Sequence, residues 1–424
     1  MYISLSNRKP VEGSEARSPR PTQSATTRVS SVVIALGIVS MLTDISTESV
    51  SAILPLYITG VLGLSTVAYG VIDGLYQGIS AVVRIAGGYA SDRGDQPKWV
   101  ALFGYGVSAV ARVGLLFATG FAALSAVVTL DRLGKGVRTA PRDALISASS
   151  EPDSLARSFG VHRMLDTIGA AIGPILAFAI LFFIPDGYST IFVISLAFAI
   201  LGVIVLGVLV PNTRPRREHA SSRSQPQARF RWRDLNDRRL RRLLLTAGLL
   251  GLVTVGDGFI YLVLQSKSGF AAEYFPLLYV GTNVAFLALA VPFGRLADRF
   301  GRTRIFILGH GALLAAYICA ALPETGWQVT VACLILLGAF YAATDGILAA
   351  LASQSTPLET LASGIAAAQT AVAASRLLAS VGFGLLWYSL GRDAAMAVVA
   401  IALAAVIPLA AVILRDHLRV VRPS

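Results

Sequence analysis

Long apolar stretches separated by short polar segments run through most of this chain. The runs 193–210 and 329–340 are predominantly apolar and lack the strict alternation of a membrane-barrel strand. A helix of about 20 apolar residues spans the roughly 30 Å hydrocarbon core of a bilayer. Because that core holds no water, backbone polar groups must be satisfied within each segment, which favours helices. The pattern therefore predicts an all-α integral membrane protein.

Twelve transmembrane helices are predicted, in two groups of six. The first six cover approximately residues 31–59, 67–90, 98–119, 121–146, 156–183 and 189–210. The second six cover approximately residues 242–265, 274–297, 303–322, 327–350, 361–389 and 394–414. We therefore divide the chain into a polar N-terminal tail expected to be disordered, a first bundle, a basic linker, a second bundle and a C-terminal tail: 1–28, 29–211, 212–241, 242–414 and 415–424.

The composition and the placement of charge agree with a membrane protein. Of the 424 residues only 14% are charged, whereas soluble proteins carry about 25%. The net charge of +12 raises the question of a nucleic-acid partner. However, Lys and Arg concentrate on the side that holds both termini, and the opposite side carries only Lys267 and Arg392. The positive-inside rule then predicts cytoplasmic termini, in a bacterial inner membrane, and no nucleic-acid partner.

The basic linker carries arginines interleaved with Phe230 and Trp232 over residues 229–242. Such a pattern can bind nucleic acid. Beside a membrane it is more typical of an interfacial segment that places arginines at anionic lipid headgroups and aromatic rings in the boundary. We therefore expect the lipid bilayer to be its partner.

The two halves share short sequence markers. Gly-x-x-x-Asp-Arg occurs at 88–93 and again at 294–299, and the pair Pro152 and Gly160 is echoed at nearly the same offset by Pro357 and Gly364. Such repetition indicates an internal duplication, which is typical of carriers whose site lies between two moving halves. A channel would need no such duplication.

At these markers the chain resembles the major facilitator superfamily, whose loop motif between helices 2 and 3 reads Gly-x-Leu-Ala-Asp-Arg-x-Gly-Arg-Lys. The second copy follows the motif with Gly294, Asp298, Arg299, Gly301 and Arg302. The first copy keeps Gly88, Asp92 and Arg93 but is one residue short. The resemblance implies two pseudo-symmetric six-helix bundles, with the motif as a latch on one membrane face. Its glycine lets helices approach closely and its Asp can face an arginine, although such charges can also merely mark loop ends.

Two helix motifs point to export. On helix 4, Arg132 and Gly136 match the family's Arg-x-x-x-Gly pattern, which is often linked to proton coupling. On helix 5, Gly169, Gly173 and Pro174 resemble a motif of exporters that exchange drug for proton, with alanine in place of its last glycine. A closely packed and kinked membrane helix would account for the same three residues.

Asp44 and Glu48 are the leading candidates for proton coupling. They lie four residues apart on helix 1, hence on one face and close to mid-membrane. A charge at that depth costs about 2.5–3.5 kcal/mol on insertion scales, so such residues tend to be functional. Two neighbouring carboxylates repel each other when both are ionised, so one of them is expected to hold a proton more tightly.

Further charged residues inside the helices are candidates for coupling or for substrate contact. They are Arg112, Asp131, Arg132, Lys135, His162, Arg163 and Asp166 in the first half, and Asp257, Asp345 and Arg376 in the second. Simpler roles remain open for some of them. Asp131 and Lys135 could form an ion pair that only orients helix 4, His162 could be neutral and hydrogen-bonded, and Arg376 could merely pair with Asp345.

The sequence predicts a secondary active transporter, a monomer without cofactor, that exports a small organic molecule in exchange for protons. The excess of cations on helix 4 favours slightly a substrate with an acidic group. Uptake by symport or facilitation is the main alternative, and a non-transporting receptor on a carrier fold is the alternative class. An enzyme is not expected, because the chain has no zinc-ligand spacing, no Gly-x-Ser-x-Gly and no Walker loop.

Overall fold

A computed structural model of the chain describes residues 29–94, 96–151, 154–212, 237–323, 326–356 and 361–415. The side chains of residues 80–82, 84–94 and 361–363 are not described. The predicted N-terminal tail, most of the linker with its proposed lipid-binding segment, and most of the C-terminal tail therefore lie outside the described residues.

Twelve long helices make up the described part of the chain. In the first half they are α1 (Ser31–Val61), α2 (Thr66–Gly94), α3 (Pro97–Leu115), α4 (Phe121–Ala148), α5 (Leu155–Phe183) and α6 (Tyr188–Leu209). In the second half they are α7 (Arg238–Ser268), α8 (Pro276–Phe300), α9 (Arg302–Ala321), α10 (Trp327–Gln354), α11 (Leu361–Leu390) and α12 (Arg392–Ile413). Within the described residues, nine of the twelve are long and apolar enough to cross a membrane. Helices α2, α3 and α4 do not meet the same criteria of length, mean hydropathy and low charge.

The two halves pack their helices in the same pattern. In the first half α1 packs on α5 and α6, α4 packs on α2 and α3, and α3 contacts α6. In the second half α7 packs on α11 and α12, α10 packs on α8 and α9, and α9 contacts α12. Each contact of one half thus recurs six helices later in the other. This confirms the predicted fold of two pseudo-symmetric six-helix bundles.

The ends of several helices follow from local chemistry. The Ser30 hydroxyl accepts a hydrogen bond from the Val32 amide at the start of α1, and Asp237 caps α7 in the same way. Between α8 and α9 the chain turns at Gly301, whose φ of 99° favours glycine. This glycine belongs to the second copy of the loop motif, so the motif encodes a sharp turn between two helices.

Helix α7 departs from the single continuous span that was predicted over 242–265. Its two segments, Arg238–Leu252 and Asp257–Ser268, are separated by a non-helical stretch inside the membrane. The Tyr317 hydroxyl accepts a hydrogen bond from the Val255 amide (2.7 Å) and donates one to the Val253 carbonyl (3.1 Å). A break at this depth is tolerated because a neighbouring side chain satisfies the freed backbone groups.

The two halves meet along α2 and α11 and, less extensively, along α5 and α8. We call the membrane face where α1 begins and α12 ends the terminal face, and the opposite one the far face. The α2–α11 contact lies in the far-face part of both helices, where the Thr66 hydroxyl donates to the Gly384 carbonyl (3.0 Å). On the same face the rings of Phe178 and Tyr274 lie 5.8 Å apart. The far face is therefore closed by contacts between the halves.

Small residues make this closure possible. A side chain at Gly70 would collide with the Ser380 carbonyl oxygen, and one at Gly74 would place its Cβ 2.9 Å from the Leu377 carbonyl oxygen. The backbones of α2 and α11 approach each other closely because these positions carry no Cβ.

We expect Gly70→Ala to open the far face, because the added methyl group collides with the α11 backbone. With Cys319 and Cys333 replaced by alanine, spin labels at Val61→Cys and Tyr388→Cys would report the distance between the two halves. That distance should lengthen in Gly70→Ala. The matched control is Gly382→Ala, also in a transmembrane helix, where an added Cβ meets nothing within 4 Å. An unchanged distance in Gly70→Ala would show that the α2–α11 contact does not hold this face shut.

Candidate functional site

A central cavity of about 550 Å³ lies between the halves on the terminal-face side of their contact. Gln77 and Arg163 contribute to it from the first half, and most of its wall belongs to the second half. That wall includes Thr254, Phe286, Phe306, His310, Phe340, Thr344, Asp345, Gln369 and Arg376. The volume falls within the range of about 300–1,000 Å³ that is usual for small-molecule sites. A cavity beneath a closed far face is what a carrier requires.

Asp131 lies at the centre of a buried ion cluster in the first half. Its carboxylate pairs with Arg112 of α3 at 3.2 Å and with the neighbouring Arg132, and all three side chains are at most 7% exposed. The Arg132 guanidinium also stacks on the Tyr76 ring, 3.8 Å from its centroid. The ion pair of Asp131 with Lys135, which the sequence left open, does not form. Instead Gly104 and Gly134 bring α3 close to α4, and α3 supplies Arg112.

The acid pair of α1 faces a different cation. Asp44 and Glu48 are half-buried, and Asp44 lies within electrostatic range of Glu48, Lys135, Arg138 and Asp166. Glu48 interacts electrostatically with Lys135 as well. Among the described residues, Lys135 forms no ion pair within 4 Å. Helices α1 and α4 thus bring two carboxylates near an ammonium group that is not locked into a direct pair, and α5 adds Asp166 near Asp44.

His162 is part of a hydrogen-bonded chain next to this group. Its Nε2 lies 3.1 Å from the Ser40 hydroxyl, which also accepts a hydrogen bond from Arg142 at 3.2 Å. His162 is therefore hydrogen-bonded, which is one of the two possibilities that the sequence left open. Its neighbour Arg163 differs, because its side chain is 80% exposed on the cavity wall and lies 3.8 Å from Asp166.

The charged residues of the second half gather around the cavity. The Tyr341 hydroxyl donates to Asp257 at 2.8 Å, and Asp345 is exposed on the cavity wall. Arg376 lies within electrostatic range of both carboxylates. Among the described residues, however, no carboxylate lies within 4 Å of its guanidinium. The pairing with Asp345 that the sequence left open is therefore not a direct ion pair.

Sequence reasoning missed Asp73 on α2. Its carboxylate accepts a hydrogen bond of 2.5 Å from Ser380 of the other half and lies against the backbone of Gly256, where α7 is broken. An acid inside an apolar stretch, beside glycines spaced by four residues, was a readable signal for a polar contact at a helix interface. The sequence analysis also passed over His310 and Tyr341, because aromatic residues in apolar helices are usually packing residues.

The sequence motifs fall outside the cavity. In the second copy of the loop motif, Arg302 lies 3.4 Å from Asp298 one turn away, as expected of an Asp that faces an arginine. The side chains of the first copy lie outside the described residues. On α5, a Cβ at Gly169 would collide with the Met41 carbonyl oxygen, and one at Gly173 would lie 2.8 Å from the Ser49 amide nitrogen. The helix 5 glycines therefore let α5 pack closely on α1.

We expect Asp131→Asn to lower the free energy of unfolding by about 3–5 kcal/mol, because it leaves two buried arginines without their carboxylate. Reversible unfolding in detergent would measure the loss. The matched control is Asp143→Asn on the same helix, which weakens a pair whose carboxylate is 44% exposed and should cost less than about 1 kcal/mol. Equal losses in both variants would contradict the structural role of the Asp131 cluster.

Comparison with known proteins identifies the family. Residues 36–283 and 259–423 both match the sequence model described as Major Facilitator Superfamily. The chain is 29% identical over 368 residues to an uncharacterised MFS-type transporter of Methanocaldococcus jannaschii, covering 84% of this chain and 88% of that protein.

Solved structures share the fold. A mutant of the nucleoside transporter NupG matches with a TM-score of 0.77 at 14% identity, covering 90% of this chain and 99% of that one. A bacterial homologue of the human lysosomal transporter Spinster, in an inward-facing and unoccupied conformation, matches with a TM-score of 0.73 at 15% identity, covering 92% and 97%. Because the sequence model spans most of the described helices, the chain belongs to the major facilitator superfamily and is a membrane transporter rather than an enzyme.

Proposed function

We propose that this protein exports a small organic molecule, one that carries an acidic group, across a bacterial inner membrane in exchange for protons. The observation that carries the proposal is the pair Asp44 and Glu48 near Lys135, with Asp166 near Asp44, in a protein whose central cavity lies beneath a closed far face. A carrier of this kind needs a site that each membrane face reaches in turn and a group that gains and loses a proton during the cycle.

Charge neutrality inside the membrane supplies the coupling step. When both acids of α1 are ionised, they compensate the ammonium group of Lys135 and the arginines near it. A proton on Asp44 or Glu48 removes one negative charge and frees one of these acids from the nearby cations. For exchange, the substrate and the proton occupy the carrier in alternate half-cycles, so that the substrate leaves in one and a proton is carried during the return in the other. Binding of the proton and an anionic substrate together would instead give symport.

The orientation of the protein identifies the membrane face from which the cavity is loaded during export. With both termini in the cytoplasm, the terminal face is the cytoplasmic one and the cavity is loaded from inside the cell. Opening of the far face and reclosure of the terminal face would then release the substrate outside. The second copy of the loop motif lies at the terminal face, where Asp298 and Arg302 could latch the halves when that face closes.

Proton movement in liposomes tests the proposal directly. Purified protein would be reconstituted with a pH-sensitive dye inside, and organic acids, chelators and cationic drugs would be added in turn. We expect a substrate-dependent proton flux that falls at least about tenfold in Asp44→Asn or Glu48→Gln, because one of the two acids can no longer exchange a proton. The matched control is Asp186→Asn, an exposed loop residue with a φ of 57° that asparagine tolerates.

Two outcomes would contradict the acid-pair mechanism. In the first, the wild-type protein moves a ligand without any proton movement, which indicates a facilitator or another coupling ion. In the second, both variants show the flux of the wild type. If protons enter together with the ligand, rather than as the ligand leaves, the protein takes up its substrate by symport and the export proposal is wrong.

A further inference from the structure

Arg376 is a half-buried cation on the cavity wall, and one of its donors has no partner in the described part of the chain. Its Nε atom is buried and has no hydrogen-bond partner among the described residues. The guanidinium lies 6.0 Å from the centroid of the Tyr341 ring, and it borders both the central cavity and a smaller recess beside the break in α7. A buried nitrogen with an unused donor is unusual, because buried polar groups in proteins are nearly always hydrogen-bonded.

The carboxylates near Arg376 have other engagements. Asp257 accepts a hydrogen bond from Tyr341, and Asp73 accepts one from Ser380. Asp345 is exposed on the cavity wall and interacts with Arg376 only at a longer range than an ion pair. None of the three comes within 4 Å of the guanidinium in the described part of the chain. The N–H donors along the edge of the guanidinium are therefore not engaged by these carboxylates and can bind an anion that arrives through the cavity.

The buried arginines of the first half differ from Arg376 because they have direct partners. Arg112 and Arg132 are buried, but both are bound to Asp131, and Arg132 is also stacked on Tyr76. Those two arginines have structural partners. A charge in a membrane helix without such a partner costs stability, so its retention indicates a ligand.

The same cavity offers an apolar surface next to Arg376. Phe306, His310 and Phe340 form a continuous aromatic layer, with ring centroids 4.9 Å and 5.3 Å apart, and Phe286 lines the cavity with them. The Nδ1 atom of His310 is held by the Phe306 carbonyl at 2.9 Å, which fixes the ring in this layer. A ligand that fits both features has a flat apolar body and one anionic group.

We propose that Arg376 binds the carboxylate of an amphipathic organic acid, whose apolar body lies against the wall formed by Phe286, Phe306, His310 and Phe340. This assignment rests on the transport function proposed above and makes the second half the one that recognises the substrate. The guanidinium matches a carboxylate in a bidentate arrangement that a lysine ammonium cannot reproduce. Asp345, which lines the same cavity, repels the bound anion and keeps its affinity moderate.

Direct binding to purified protein tests the assignment without the need for transport. The probes are 3-phenylpropionate and indole-3-acetate, each paired with its neutral amide of nearly equal shape. Their dissociation constants would be measured by calorimetry in detergent. We expect each acid to bind more tightly than its amide. Arg376→Gln should weaken the binding of the acids by on the order of 10- to 100-fold, since hydrogen bonds to a charged group are lost. The binding of the amides should stay unchanged.

Three further variants separate recognition from structure. Arg376→Lys keeps the charge but not the fork of donors, and should restore part of the affinity. Asp345→Asn should tighten binding of the acids, because it removes a like charge from the cavity. Arg392→Gln removes an arginine at the far face that pairs with Asp393 and does not line the cavity, and it should leave the affinity within about twofold of the wild type. The unliganded Arg376→Gln protein should melt close to the wild-type temperature, since the guanidinium that it loses forms no direct ion pair among the described residues.

The assignment is wrong if neither acid binds more tightly than its amide, or if Arg376→Gln binds the acids as the wild type does. It is also wrong if Asp345→Asn weakens the binding of the acids. The same holds if Arg376→Gln lowers the melting temperature and weakens the binding of acids and amides alike. None of these results bears on proton flux in liposomes. The transport proposal fails separately, when no ligand of any class produces movement across the membrane.

Discussion

The cost of an ionised side chain in a membrane is the constraint on which this structure depends. In the first half the cost is met by partners, since Asp131 is shared by two arginines from adjacent helices and the acids of α1 surround Lys135. In the second half Arg376 reaches no carboxylate directly and borders a cavity instead. The same physical demand thus produces an ion-paired cluster in the first half and an arginine without a direct ion pair in the second half. That arginine marks the candidate binding site.

The contact between the halves has a different character from the contacts within them. At the far face α2 and α11 meet through glycine positions such as Gly70 and Gly74 and through two polar contacts, Thr66 with Gly384 and Asp73 with Ser380. Contacts of this kind depend on close approach rather than on a large interlocked apolar surface. When the backbones separate, small residues leave few interdigitated side chains to disengage. A joint that must close and open repeatedly benefits from such a surface.

The long apolar runs made the positions of the helices predictable. The contacts between helices could not be predicted from them. Most predicted helix ends lie within a few residues of the observed ones because a membrane helix must have a minimum apolar length. The break in α7 escaped prediction because no proline marks it and its stabilising partner, Tyr317, lies on another helix. The partner of Asp131 was left open for the same reason. Spacing along α4 suggested Lys135, whereas the contact that decides the pairing is the close approach of α3, which brings Arg112.

Duplication preserved the packing of the two halves while their polar residues diverged. The first half holds the dense set of acids and bases, and the second half supplies most of the cavity wall and the aromatic layer. Asp73 connects the two, because it belongs to α2, accepts a hydrogen bond from Ser380 of α11, and interacts electrostatically with Arg376. A ligand anion at Arg376 would partly neutralise the cation that Asp73 senses. The strength of the hydrogen bond that helps to close the far face would therefore depend on whether the cavity is filled, which is the link a carrier needs between substrate binding and opening.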